Sequence, residues 1–488
     1  MNVKNFKNLF FKNIGTKQTI FKNTFWLVMA EGINKFSKLI LIIYIARILG
    51  ATEYGKFTFA LSFVALFSIF SDLGLFSVTI REFSKDREKE KNFSSILSLK
   101  ILLSLGTLFL IAISSFFITP DPLIQRIIWI LGAYIVLDSF SGIIFAFFQA
   151  RQRMEYESWI KIFGALVTTV AVIFVILSFP SAKNLSYSYL LSSLITLISV
   201  LFFFHLKIFP LKISWQGSIW RKFLSMSWPL ALSGMFSIVY VSIDSVMMGY
   251  WGQVVQIGLY NAAYKIILAS LIPISLISQS FFPVLNIAFS KSKEKFQKTW
   301  DYQMKIMIFF SIPLAIGGII LAPQIIDFVY DFTFYPSILA FQILVVMASF
   351  IYLSNPLEQA LIVANEQKRI FWTFLVGVVF NIILNLILIP LYSFYGAALA
   401  SLLTIILIFF LLLRFTIKFT PIRPLNFSFL FIFSGVVLSA TAMYFIISRS
   451  SICRFNVLLS ILIGVLIYVF CFFIYKTLIG RFLNFIHS

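Results

Sequence analysis

Apolar runs of about 20 residues recur along the whole chain, separated by short charged loops. Lipid offers no partner for a backbone N–H or C=O, so runs of that length read as membrane-crossing helices. The pattern predicts about fourteen spans, at roughly 24–48, 57–80, 96–118, 126–149, 161–179, 186–206, 227–250, 256–283, 304–323, 337–361, 371–390, 395–413, 427–447 and 454–475. The first run is the unusual one. Glu31, Asn34, Lys35 and Lys38 interrupt it, and the apolar remnant from Leu39 to Ile45 is too short to cross alone. The charges must therefore enter the membrane with the helix. A centrally placed charge costs at least about 2.5–3.5 kcal/mol on insertion scales, which marks such residues as functional by default. Glu31, Lys35 and Lys38 stand at i, i+4 and i+7, on one helical face.

Composition agrees with a membrane protein. Hydrophobic residues make up 60% and charged residues only 12%, with 60 Phe; a soluble chain carries about 25% charged residues. The net charge of +21 suggests nucleic acid until its placement is considered. With the N-terminus inside, about 29 of the 39 Lys and Arg fall in inside loops and tails, which is the positive-inside bias. Arg81–Lys91 and Lys291–Lys298 are rich inside loops, and Tyr250–Gln256 and Pro390–Phe394 are uncharged outside ones. Both termini are then cytoplasmic. Trp26, Trp159, Trp228, Trp251 and Trp372 lie near span ends, as interfacial anchors do. The basic N-terminus (Lys4, Lys7, Lys12, Lys17, Lys22) precedes a run too long and too polar for a cleaved signal, so it reads as an uncleaved anchor. Cys453, Cys471, His205 and His487 suggest no disulfide, metal site or cofactor. The outside loops are too short to hold a catalytic domain.

The chain reads as a duplication. Placing Trp26 over Trp228 puts Gly32 on Gly234 and Gly50 on Gly252. With one residue inserted, Gly55, Phe57 and Ala60 fall on Gly258, Tyr260 and Ala263. Further on, the stretch from Phe148 to Arg153 resembles that from Ile362 to Gln367. The expected fold is an all-α integral membrane protein with two parallel six-helix repeats and two added C-terminal helices. The halves are 1–206 and 227–415, joined by an interfacial linker at 207–226 and followed by two helices and a tail at 416–488. Parallel repeats of this kind hold a substrate between them and rock around it.

The repeat extends the candidate site. Glu31, Lys35 and Lys38 fall on Ser233, Ser237 and Tyr240, and Asp244 lies one helical step further. Two polar stripes would thus face each other. Lys35 and Lys38 are expected to contact an anionic substrate, with Glu31 as a structural partner in the alternative. Asp244 suits a cavity or ion-coupling role, or else a partner for Lys265. Asp138, in mid-span, suits either transport or a bond between helices. Lys100 and Asp72 would snorkel or pair. Asn381 and Asn385 would bond to neighbouring helices or touch a sugar.

Several of these stretches carry a resemblance. Ala46 to Phe57 (ARILGATEYGKF), Asp72 to Gly74, Phe148 to Met154, and Asp244 through Lys265 are similar to the polysaccharide-biosynthesis flippases, the Wzx-type O-antigen and exopolysaccharide transporters. Multidrug exporters of the MATE type and lipid II flippases share that fold. The resemblance implies an alternating-access transporter in the bacterial or archaeal plasma membrane. It would move a polyprenyl-diphosphate-linked oligosaccharide to the outer leaflet, driven by an H+ or Na+ gradient and working beside polymerase machinery. A drug/ion antiporter is the competing reading, and Lys35 and Lys38 sit poorly with cationic cargo.

Overall fold

The computed structural model describes residues 11, 13–85, 92–208, 213–424, 427–449 and 456–486. Cys453 and His487 lie outside them. The helices are α1 (Thr16–Asp72), α2 (Leu75–Lys85), α3 (Phe93–Ile118), α4 (Pro122–Ala150), α5 (Met154–Ser178), α6 (Ala182–Lys207) and α7 (Gly217–Tyr250). They continue with α8 (Val254–Ser270), α9 (Ile272–Lys291), α10 (Lys293–Val329), α11 (Ser337–Val363), α12 (Gln367–Phe419), α13 (Phe427–Arg449) and α14 (Val457–Ile486).

Among the described residues ten helices are long and apolar enough to span a bilayer, or eleven with the bent α7 taken as one span. The expected fourteen differ from this count mainly where two expected spans meet at a kink inside one continuous helical range. The expected spans 24–48 and 57–80 lie on either side of a kink in α1, where Gly50 adopts φ 70° and ψ 173°, and the second continues past Asp72 into α2. Spans 371–390 and 395–413 are likewise two helical segments of α12 that meet at a kink at Ser393. The run at 427–447 overlaps the shorter apolar helix Ile432–Ser448. Helix α7 bends by 57° between Pro229 and Gly234, where a proline removes a helical hydrogen bond and crowds the preceding turn.

The chain divides into two compact units, Met1–Gly258 and Leu259–Ser488. In the first, Leu73 and Gly74 turn left-handed and end α1. The short α2 then packs Phe83 among aromatic rings. Phe93 stands 4.8 Å from Phe147 and 5.4 Å from Phe204 between ring centroids, and all four rings are fully buried. The linker docks on α3: Ser98 donates to the Ser214 carbonyl at 2.6 Å, and Trp220 Nε1 to the Ser95 carbonyl at 2.8 Å. In the second unit the buried Trp300 donates to the Pro356 carbonyl at 2.9 Å. Tyr468 of α14 donates to the Phe309 carbonyl at 2.9 Å. An apolar cavity of about 490 Å³ lies there, walled by residues such as Ile267, Leu314, Val345, Met443 and Tyr468.

The duplication has a physical signature inside the first unit. Gly50 and Gly252 hold nearly the same positive φ, 70° and 71°, a conformation that glycine adopts without a Cβ clash. A Cβ on Gly55 would meet the Val254 carbonyl oxygen at 2.0 Å, and one on Gly258 would meet the Ala51 carbonyl oxygen at 2.0 Å. The contact is reciprocal: each turn presents its glycine to the other's backbone. The later turns match as well. Gln152 and Asn365 both take positive φ. Arg153 N–H donates to the Phe148 carbonyl as Glu366 N–H does to that of Leu361. Phe148 therefore corresponds to Leu361, one residue away from the register the sequence similarity suggests.

Candidate functional site

A cavity of about 450 Å³ opens inside the first unit, between α1, α4, α5 and α6. From α1 it receives Glu31, Asn34, Lys35, Ser37 and Lys38, the polar face anticipated from the i, i+4, i+7 spacing. Helix α4 adds Tyr134, Asp138 and Ser141; α5 adds Lys161, Thr168 and Thr169; α6 adds Tyr189, Ser193 and Thr196. Helices α5 and α6 approach closely at Gly164, where a Cβ would lie 2.8 Å from Thr196 Oγ1.

The charges of the cavity fall into two groups. Glu31 does not neutralise Lys35 or Lys38. It pairs instead with Lys161 at 3.0 Å, and Lys161 also holds the buried Glu157 at 2.8 Å. Glu157 accepts a further bond from Gln149 Nε2 at 3.0 Å. The Lys161 ammonium sits 5.6 Å from the Phe145 ring centroid, within cation–π range. Lys35 and Lys38 are accessible and make no ion pair among the described residues. Asp138 is also accessible and takes no hydrogen bond among them. Its neighbour Ser139 makes the interhelical bond: Lys100 Nζ donates to Ser139 Oγ at 2.7 Å and to Asp72 Oδ1 at 3.2 Å. Lys100 is fully buried, so it pairs and does not snorkel.

A second buried lysine lies near the start of α1. Lys22 donates to Glu155 Oε2 at 2.8 Å, Asn13 Oδ1 at 2.6 Å and the Gln152 carbonyl at 3.2 Å. The sequence treats it as one of a basic N-terminal series, yet it is enclosed by protein.

The remaining expected site residues are not brought to this cavity. Tyr240 and Asp244 lie on α7, with Asp244 buried. Lys265 lies on α8 in the second unit, half-buried. The side chain of Ser237 lies outside the described residues. Asn381 and Asn385 bond to each other at 3.1 Å. Sequence reasoning missed Lys161, Tyr134 and Tyr189. Lys161 begins a predicted span and looks like an interfacial lysine; only Glu157 one turn before it hinted at a buried pair.

The cavity thus brings accessible cations, hydroxyls and aromatic rings together on four helices. The solved structure of the lipid II flippase MurJ, in an inward closed conformation, superposes with a TM-score of 0.74, covering 94% of this chain and all of that one at 19% identity. An inward-facing multidrug resistance MATE transporter of the MOP superfamily gives 0.63, with 79% and 95% covered at 15% identity. Both likenesses establish the fold. An uncharacterized membrane protein of Methanocaldococcus jannaschii is 25% identical over 415 residues, which cover 80% of this chain and 95% of that protein. The family model for polysaccharide biosynthesis proteins matches residues 20–289, more than half of the chain. This multi-pass membrane protein belongs to the polysaccharide biosynthesis protein family.

Proposed function

We propose that the chain is a flippase. It carries a polyprenyl-diphosphate-linked oligosaccharide, an O-antigen or other surface polysaccharide unit, from the inner to the outer leaflet of the plasma membrane by alternating access. The observation that carries this reading is the pair Lys35 and Lys38, accessible in a cavity and not neutralised by the nearby Glu31. Two such cations offset the cost of bringing a diphosphate out of water into low dielectric. Lysine makes a diffuse phosphate contact that also releases, unlike the bidentate arginine fork. No covalent step is needed: the prenyl tail stays in lipid while the head group crosses through the cavity. The charge bias of the loops supports cytoplasmic termini, and an H+ or Na+ gradient would drive the cycle. The likeness to the lipid II flippase makes a lipid II-type cargo the second reading, since it shares the same chemistry. A drug/ion antiporter is disfavoured because the cationic cavity repels cationic drugs.

The test is reconstitution in liposomes with a polyprenyl-diphosphate oligosaccharide, following protection of the head group from an added glycosidase. Protein-dependent translocation is expected, and the Lys35→Ala/Lys38→Ala double variant should lose about tenfold or more while remaining folded. Wild-type transport by a well-expressed double variant would sink the assignment of these lysines. Absence of translocation under pH and sodium gradients would shift the reading to the antiporter.

A further inference from the structure

Helix α12 folds back on itself, so its two ends reach the same side of the membrane. The segments before and after Ser393 pack together: a Cβ on Gly377 would lie 2.7 Å from Ile408 Cδ1. No charged residue stands between Arg369 and Arg414. All the charge of this hairpin is therefore at one membrane face, the one that the loop bias assigns to the cytoplasm.

Each segment carries an exposed stripe. Lys368, Trp372, Val376, Val379 and Ile383 are exposed at i, i+4, i+8, i+11 and i+15. Leu403, Phe410, Arg414 and Ile417 form the matching stripe on the second segment. In a bilayer the apolar parts of such stripes lie along acyl chains. The stripes end in Lys368 and Arg414, beside the exposed Trp372, which marks head-group depth. Between them the two ends of the helix meet at Phe419. The Arg369 guanidinium carbon is 4.3 Å from its ring centroid, and Lys418 Nζ is 5.4 Å from it. Both are within cation–π range.

The cations greatly outweigh their counter-charge. Glu366 lies 3.6 Å from Arg369 Nε and leaves the Nη atoms free. Lys368, Arg414 and Lys418 make no ion pair or hydrogen bond among the described residues. Two like charges drawn to one ring also repel each other. A phosphate relieves that repulsion, since the guanidinium fork matches its oxygens and an ammonium adds a point charge. A zwitterionic head group brings its own ammonium and leaves the excess in place, so the cluster calls for a lipid of net negative charge.

We infer that the paired ends of α12 bind an anionic phospholipid of the inner leaflet, with its phosphate at Arg369 and Lys418 and its chains along the two stripes. The lipid is a bilayer resident and not the cargo, so the inference stands apart from the flippase reading. Interfacial lysines elsewhere snorkel to lipid phosphate without selecting a head group. Convergence on Phe419 is what separates this cluster from them.

The experiment titrates the purified full chain in detergent with dioleoylphosphatidylglycerol and, in parallel, with zwitterionic dioleoylphosphatidylcholine. The readout is the thermal unfolding midpoint. Phosphatidylglycerol should raise it saturably and phosphatidylcholine should not. Arg369→Gln/Lys418→Gln should weaken the apparent affinity for phosphatidylglycerol about tenfold or more, with the lipid-free midpoint near wild type. Lys293→Gln/Lys295→Gln removes the same charge from an exposed stretch at the start of α10 and should keep wild-type affinity. Phe419→Leu, which takes away the shared ring, should fall between. Lys418→Gln alone, at an exposed position, gives the same test at smaller amplitude if the double variant loses its fold. An equal loss in the α10 pair reduces the effect to general surface charge and overturns the site. So does a wild-type midpoint that ignores phosphatidylglycerol or rises equally with phosphatidylcholine.

Discussion

The two compact units hold cavities of nearly equal size and opposite character. One cavity of the first unit, about 450 Å³, is lined by Glu31, Lys35, Lys38, Asp138 and Lys161 together with hydroxyls. The one in the second, about 490 Å³, has no charged residue among its described lining. The apolar one is walled in part by α13 and α14, outside the expected repeats, so the two chambers are not equivalent positions of a duplication. What each cavity admits is set by the side chains that line it. The buried lysines teach the complementary lesson. Lys22 and Lys100 are enclosed and each holds a carboxylate, whereas Lys35 and Lys38 reach open space and hold none. In an apolar interior a cation is paired or faces a cavity.

The strongest way to break this comparison is to orphan an enclosed charge. Glu155→Ala leaves Lys22 buried with only neutral partners and should cost about 3–5 kcal/mol of stability, read as a large fall in thermal unfolding temperature in detergent. A variant as stable as wild type would mean that Lys22 reaches water. Next comes a swap of character between the cavities. Leu314→Lys places a cation in the apolar chamber and should cost about 2.5–3.5 kcal/mol. Thr168→Lys, in the polar one, should change stability far less. Equal losses for the two would erase the distinction drawn here. The smallest effect belongs to the accessible pair: Glu31→Gln should cost less than about 1 kcal/mol, because Lys161 retains Glu157 at 2.8 Å.

Much of this was legible in the sequence, for identifiable reasons. A helical period and the cost of charge in lipid put Glu31, Asn34, Lys35 and Lys38 on one face, and the structure brings them to one cavity with Asp138. Tyr134 and Tyr189 were not legible. In a chain with 18% aromatic residues, a tyrosine that lines a cavity has the same local pattern as one that faces lipid. Periodicity cannot say which helices become neighbours, so the partnership of Glu31 with Lys161 lay beyond it. Transfer of the polar stripe from α1 to α7 by repeat register did not bring Tyr240 and Asp244 to this cavity, since equivalent positions in a duplicated half need not line equivalent spaces. The kinks at Gly50 and Ser393 fall in the gaps between expected spans, at 49–56 and 391–394.

The reciprocal approach of Gly55 to Val254 and of Gly258 to Ala51 has a consequence for the history of the chain. A patch that touches its own equivalent is the geometry of an isologous dimer. In an ancestor made of two identical single halves, any side chain added at this glycine would have clashed at both places at once. One mutation would have carried a double penalty. Fusion of the halves into a single gene releases that constraint, because each copy can then change alone. A lone methyl group at Gly55 or at Gly258 now breaks the symmetry at one contact only, so the two single alanine variants and the double one would reconstruct, step by step, the penalty that the unfused ancestor met all at once.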